Sequence, residues 1–334
     1  MINMKTRIDV MEEKAFSGAG ISGEDALRLI RSTGADRYEV LASANRVARH
    51  FRGNRAEFCG IVNAKSGRCP ENCSFCAQST HHATNAAVHG LIEEDALVRA
   101  AREAESFGAN RFGIVTAGTG LRDEAELSRA RSAIGRTLRE TSLAPCASLG
   151  ILGEDALKGL KEAGLTRYHH NLETARSHFS RICDTHDYDE DVETVKAAKR
   201  VGLEVCSGGI LGLGESPEQR VELALELRSL DVDCVPVNFL VPVKGTPLES
   251  MPPLEPLECL LAIAMLRLVL PRKSIRVCAG RERNLGDLRS WAFFAGADGM
   301  MIGNFLTTTG RNAHDDVAMA RALGFEPATP IPRE

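Results

Sequence analysis

From Glu57 onward the chain alternates short apolar runs with longer stretches whose apolar residues recur at three-and-four spacing. The runs predict strands near 57–63, 110–116, 144–149, 166–171, 203–210, 234–241, 274–279 and 298–302. Helical spacing fills the intervals, as in Ile92–Phe107 and Asp189–Val201. Four helical stretches close on glycine just before the next strand: Phe107-Gly108, Ala163-Gly164, Val201-Gly202 and Ala295-Gly296. Glycine there accepts the left-handed conformation that stops a helix. Eight strand–helix units in series predict an α/β fold, a closed (β/α)8 TIM-type barrel in preference to an open sheet. Residues 1–50 carry amphipathic helical patterns instead, one capped at Ser22-Gly-Glu-Asp25 and another over Leu41 to Phe51. The expected organisation is an N-terminal helical extension over 1–50, the barrel over 51–325 and a tail over 326–334. The proline-rich stretch Met251–Pro256 reads as a loop.

Composition narrows the class. At 334 residues and 43% hydrophobic content, the chain can bury a large core, as one barrel-sized domain or two smaller ones. A net charge of −4, with both signs interspersed, speaks against a nucleic-acid or anionic-membrane surface. No apolar run approaches the roughly 20 residues that span a bilayer. The first residues, with Asp9, Glu12 and Glu13, lack the basic and apolar regions of a signal peptide. Ten cysteines in such a context read as reduced thiols, some of them metal ligands, and the expected compartment is the cytoplasm.

Three of those cysteines stand together in Cys69-Pro-Glu-Asn-Cys73-Ser-Phe-Cys76, just after the first predicted strand. Thiolates at this density are soft ligands for zinc or iron–sulfur clusters. Structural zinc usually takes four ligands, and no second hook of paired cysteines follows. A redox or zinc loop stays open as an alternative. Three ligands on a four-iron cluster would leave one iron open to a small molecule. In that arrangement the motif resembles the radical S-adenosylmethionine enzymes, in which the open iron binds the amino and carboxylate groups of S-adenosylmethionine. The resemblance implies reductive cleavage to a 5′-deoxyadenosyl radical. Strand ends are the other candidate positions, because chemistry in such barrels collects at their carboxyl ends. They include Tyr168-His-His-Asn-Leu-Glu-Thr174 and the glycine-rich Cys206-Ser-Gly-Gly-Ile-Leu-Gly-Leu-Gly-Glu215.

Taken with Val235-Pro-Val-Asn-Phe-Leu-Val241, Val243-Lys-Gly-Thr-Pro247, Arg276-Val-Cys-Ala-Gly-Arg-Glu282 and Leu306-Thr-Thr308, these motifs are similar to those of the biotin synthases. The resemblance runs from about residue 30 to about 325, in order and without large insertions. It implies insertion of sulfur into two unactivated C–H bonds of dethiobiotin. It also implies that Cys69, Cys73 and Cys76 hold the [4Fe-4S] cluster, with Phe75 near the adenine of S-adenosylmethionine and Glu173 on its ribose. Asn171 and Asn238 would read the ureido ring, and Thr307 and Thr308 would receive the carboxylate. Further implications are oxygen sensitivity, a homodimer, and a reducing partner such as flavodoxin or ferredoxin.

The family also carries an auxiliary cluster that donates the sulfur, a two-iron form held by three cysteines and one arginine. Cys146, Cys206 and Arg276 match that pattern, but Gly113 stands where the remaining thiol belongs. Strand alternation puts Cys278 on the same face as Arg276, and Cys183 lies in the loop after the fourth strand. The expected repair is a four-thiolate set, Cys146, Cys183, Cys206 and Cys278, on an auxiliary iron–sulfur cluster with four irons in preference to two. Arg276 would then be a neighbouring cation. Cys59, Cys234 and Cys259 read as core residues. His169 stands where asparagine is usual, and His81, His82 and His186 have no assigned role. Two rivals remain: a related enzyme of the hydrogenase-maturase or methylornithine-synthase kind, and a non-catalytic iron–sulfur or zinc sensor.

Overall fold

The computed structural model describes residues 4–328. Three helices lead, α1 (Met4–Phe16), α2 (Gly23–Ile30) and α3 (Asp36–Arg52). The Ser22 hydroxyl caps α2 by accepting from the Asp25 N–H at 3.1 Å. The strands are β1 (Arg55–Lys65), β2 (Arg111–Thr116), β3 (Ala144–Ser148), β4 (Arg167–His169), β5 (Glu204–Cys206), β6 (Gly209–Leu211), β7 (Cys234–Phe239), β8 (Ser274–Val277), β9 (Gly299–Met301) and β10 (Glu326–Pro327). Between them run α4 (Glu94–Ser106), α5 (Glu124–Glu140), α6 (Glu154–Glu162), α7 (Arg176–Phe179), α8 (Tyr188–Arg200), α9 (Pro217–Ser229) and α10 (Pro256–Val269).

Pairing follows the order β1-β2-β3-β4-β5-β7-β8-β9, and β9 pairs back on β1, so eight parallel strands close a barrel. The short β6 continues the line of β5 past Ser207 and Gly208 and pairs with β7. Beside β1, β10 adds a parallel two-residue edge; the rest of the expected tail lies outside the described residues. Closure removes sheet edges and surrounds the strands with helices, which is why the strand runs are apolar on both faces. The four glycines named as helix stops all have φ between +76° and +104°.

The leading helices cap the helical layer of the barrel. They lie against α10, which is buried along most of its length, including Arg267. That guanidinium reaches the Gly296 carbonyl at 2.8 Å and Asp298 at 2.9 Å, so its charge is paired inside the core. No described helix is long and apolar enough to cross a membrane.

Candidate active site

The loop after β1 turns at Gly67 (φ +72°) and Arg68 (φ +51°) and then folds back on itself. The Cys69 N–H donates to the Gln78 carbonyl (3.0 Å) and the Thr80 N–H to the Cys69 carbonyl (2.8 Å). The Gln78 side-chain oxygen accepts from the Ser66 hydroxyl at 2.9 Å and the Gly67 N–H at 3.2 Å. A short hairpin-like loop results, and it holds the half-buried Cys69, Cys73 and Cys76 thiols at the carboxyl end of the barrel. All three, with Phe75, line a cavity of about 400 Å³ that runs down the barrel axis.

A second loop, after β4, clamps the first. The Ser74 N–H donates to the Ile182 carbonyl at 2.8 Å, and the Thr119 and Thr185 hydroxyls donate to Glu71. His186 Nδ1 lies 2.8 Å from Glu71, and its Nε2 lies 3.4 Å from Asp191. Asp191 also holds His170 at 2.8 Å. Its bonds to Asp191 and Cys183, with Glu71 adding, push His186 up to about 11, so it is an imidazolium at neutral pH. Against burial, the two hydroxyls and His186 keep Glu71 ionised. The bonds from Glu71 to Thr185 and His186 join residues more than a hundred positions apart, and no local motif announces them.

Cys183 belongs to the latch. Its Sγ is 3.7 Å from Cys73 Sγ and 3.3 Å from His186 Nδ1, and it does not line the cavity. The expected grouping with Cys146, Cys206 and Cys278 is therefore not what the fold builds. The reason is depth: the loop after β4 leaves the barrel before it reaches Cys183, so that thiol meets the mouth and not the inner wall.

Cys146, Cys206, Cys278 and Arg276 do line the inner cavity, and so does Cys59, which its apolar neighbours had marked as core. Cys234 lies beyond the lining, and Cys259 is buried on α10. Burial pushes the Cys146 thiol up to about 11, against the pull of Arg167 and Arg111. Burial likewise raises Cys278 to about 12, against Arg276, and Cys59 rises for the same cause. Beneath them lies an ionic floor. Glu57 accepts from Arg111 and Arg167, each at 2.7 Å, and pairs with Arg276. Glu204 takes Arg111 at 2.8 Å and Arg167 at 3.0 Å. Three guanidinium groups thus meet two carboxylates directly under the thiols.

Between mouth and inner wall stand the polar groups. Asn171 donates to Glu173 at 3.3 Å and accepts from the Gly208 N–H at 3.2 Å. Asn238 donates to the Gly209 carbonyl at 3.3 Å and accepts from the Ala279 N–H at 3.2 Å. The Glu173 carboxyl and three backbone groups thus fix both amides facing the cavity. Glu173 adopts φ +60°, a strained conformation for a side-chain-bearing residue, and its carbonyl receives the Ile210 N–H at 2.8 Å. Burial first and Asp191 second raise its carboxyl to about 8. Burial lowers His169 to about 4, which leaves a neutral imidazole on the wall. Thr307 and Thr308 line the cavity from the loop after β9, held where Asn63 donates to the Leu306 carbonyl at 2.9 Å.

One cavity therefore gathers three loop thiols, two oriented amides, a buried carboxyl and a deeper set of thiols over an ionic floor. Thiols in such numbers fit iron–sulfur clusters, in which cysteine is the usual ligand. Comparison with known proteins agrees. Residues 64–227 match the radical SAM superfamily, and residues 236–326 match the biotin and thiamin synthesis associated domain. The chain is 52% identical to the biotin synthase of Geotalea daltonii over 98% of its own length and 99% of that protein. Against the biotin synthase of Geobacter sulfurreducens it is 54% identical, covering 94% and 96%. Among solved structures, a methylornithine synthase superposes with TM-score 0.83 at 20% identity, covering 95% of this chain and 97% of that one. A maturase of the [FeFe]-hydrogenase gives TM-score 0.82 at 17% identity, with 97% and 76% covered. At those identities the two structures establish the shared barrel alone.

Proposed function

The chain belongs to the biotin synthase family of radical SAM enzymes, and from that membership we propose how its own residues serve the conversion of dethiobiotin to biotin. When bound, the family's cofactors supply one-electron cleavage of S-adenosylmethionine and a sulfur atom for transfer. Cys69, Cys73 and Cys76 would hold the [4Fe-4S] cluster at the mouth, since the loop presents all three thiols toward the cavity. A cluster held by only three protein ligands would leave one iron to the cosubstrate. Phe75 offers an aromatic face for the adenine, and Glu173 an acceptor for the ribose hydroxyls.

Asn171 and Asn238 would orient the ureido ring. Each amide keeps donor and acceptor capacity toward the cavity after its backbone contacts. Thr307 and Thr308 would take the carboxylate at the other end of the substrate. Together these contacts hold the reacting carbons between the cosubstrate and the inner thiols, and placement is what the protein contributes to chemistry of this kind. Cys146, Cys206 and Cys278 would hold the auxiliary iron–sulfur cluster, with Arg276 beside it. Pairing of two copies, a flavodoxin or ferredoxin as reductant and a cytoplasmic location complete the reading.

The observation that carries it is the pair of amides standing between two separate sets of thiols in one cavity. The test is anaerobic incubation with dethiobiotin, S-adenosylmethionine and a reductant. Biotin together with 5′-deoxyadenosine is the expected outcome. Deoxyadenosine without biotin points to a related enzyme, and neither product points to a sensor.

A further inference from the structure

We propose that Cys59 is the fourth thiolate of the auxiliary cluster, alongside Cys146, Cys206 and Cys278, and that Cys183 and Cys234 lie outside it. The proposal rests on the reading above and sharpens its inner site.

In a closed parallel barrel of eight strands, the pairing register climbs by about one residue per strand, and inward side chains stack in levels of four drawn from alternate strands. The register here pairs Gly113 with Cys146, His169 with Cys206, Pro236 with Arg276 and Met301 with Cys59. Followed round the ring, these pairs put Cys59, Cys146, Cys206 and Arg276 on one level, from β1, β3, β5 and β8. Gly113, His169, Pro236 and Met301 form the level above. Arg111, Arg167, Cys234 and Gly299 form the level below.

That placement decides among the candidates. Cys59 shares its level with two thiols already assigned. Cys234 is one level down, among the arginines of the floor, and is absent from the cavity lining. Cys183 is outside the barrel wall, against Cys73. Arg276 closes the level but turns its guanidinium down to Glu57, while its buried Nε has no partner. On the same strand line, Cys278 stands two residues higher, where its N–H donates to the Val237 carbonyl at 2.8 Å. Three thiols around one level with a fourth above it give the pyramid of ligands that a four-iron cube requires. Gly113 leaves the cavity side of β2 bare: a Cβ there would meet the Ile61 side chain at 3.2 Å. The thiol missing from β2 is thus supplied by the adjacent strand β1.

The test is iron and acid-labile sulfide per chain, with Mössbauer spectra, on anaerobically reconstituted enzyme and its C59A, C183A and C234A variants. The parent chain is expected to hold about eight irons, two cubes of four. C59A should fall to about half of that, losing the inner-cluster spectrum while the mouth cluster still changes its electron paramagnetic resonance signal on adding S-adenosylmethionine. That response also reports an intact fold, and C59S repeats the measurement with a smaller change in packing. C183A and C234A should keep both clusters. Full iron in C59A and C59S overturns the assignment, and so does loss of both clusters in the two, or loss of the inner cluster in C183A or C234A instead. A parent chain whose mouth cluster ignores S-adenosylmethionine overturns the functional reading itself.

Discussion

Glu173 shows what single positions contribute. Its strained backbone is held by Gly209, where a Cβ would stand 2.3 Å from the Glu173 carbonyl oxygen. Gly209→Ala should therefore push Glu173 off the ribose position and cost about 1–3 kcal/mol of stability, read from a lower melting temperature in urea or heat. Glu173→Gln keeps the shape but loses a charged acceptor. Affinity for S-adenosylmethionine should drop about tenfold or more, as loss of a hydrogen bond to a charged group implies, with iron content unchanged. Calorimetric titration of the reconstituted enzyme checks it. Because burial places this carboxyl near 8, the ionised acceptor grows as pH rises through that value. Cosubstrate affinity should accordingly climb more steeply between pH 7 and pH 9 in the parent chain than in Glu173→Gln, where only the cosubstrate's own amino group still titrates.

Among the elements, strands and stops were legible and depth was not. The strand runs and the glycines at 108, 164, 202 and 296 mark the barrel because each serves local chemistry: apolar faces on both sides, and a left-handed stop. The break between β5 and β6 was not visible, since Ser207 and Gly208 interrupt the pairing without interrupting the apolar run. In sequence Cys59 reads as a buried residue, and composition cannot say which face of its strand meets the cavity. Cys183 reads as an inner thiol because a loop's sequence carries no depth. The register of neighbouring strands places the first, and contact with Cys73 places the second. The latch of Glu71, His186 and Asp191 is hidden in the same way, because its Glu71–His186 bond spans 115 positions. It binds the cysteine loop to the loop before α8, so His186→Ala should loosen the first site while leaving the inner one. Breaking a buried ion pair costs about 3–5 kcal/mol. Iron at the mouth should then be stripped by a chelator at least about tenfold faster, timed by loss of visible absorbance.

As a whole, the molecule is a barrel whose axis is graded by chemistry: an ionic floor, a layer of thiols, a band of amides, and a cysteine loop latched over the mouth. The guanidinium groups of Arg111 and Arg167 lie beneath the thiols, where they would favour an anionic cluster in a poorly screened interior. Arg167→Met should weaken that support, and the inner cluster is expected to be lost first on mild oxidation, seen as a fall in sulfide before the mouth cluster changes. The proposed chemistry takes sulfur from the inner wall into a substrate held by the two amides. The most direct measurement is a single turnover with enzyme whose clusters were built with ³⁴S-sulfide, in medium holding only ordinary sulfide. The account predicts biotin enriched in ³⁴S, at no more than about one per chain, whereas biotin carrying only the sulfur of the medium would contradict it.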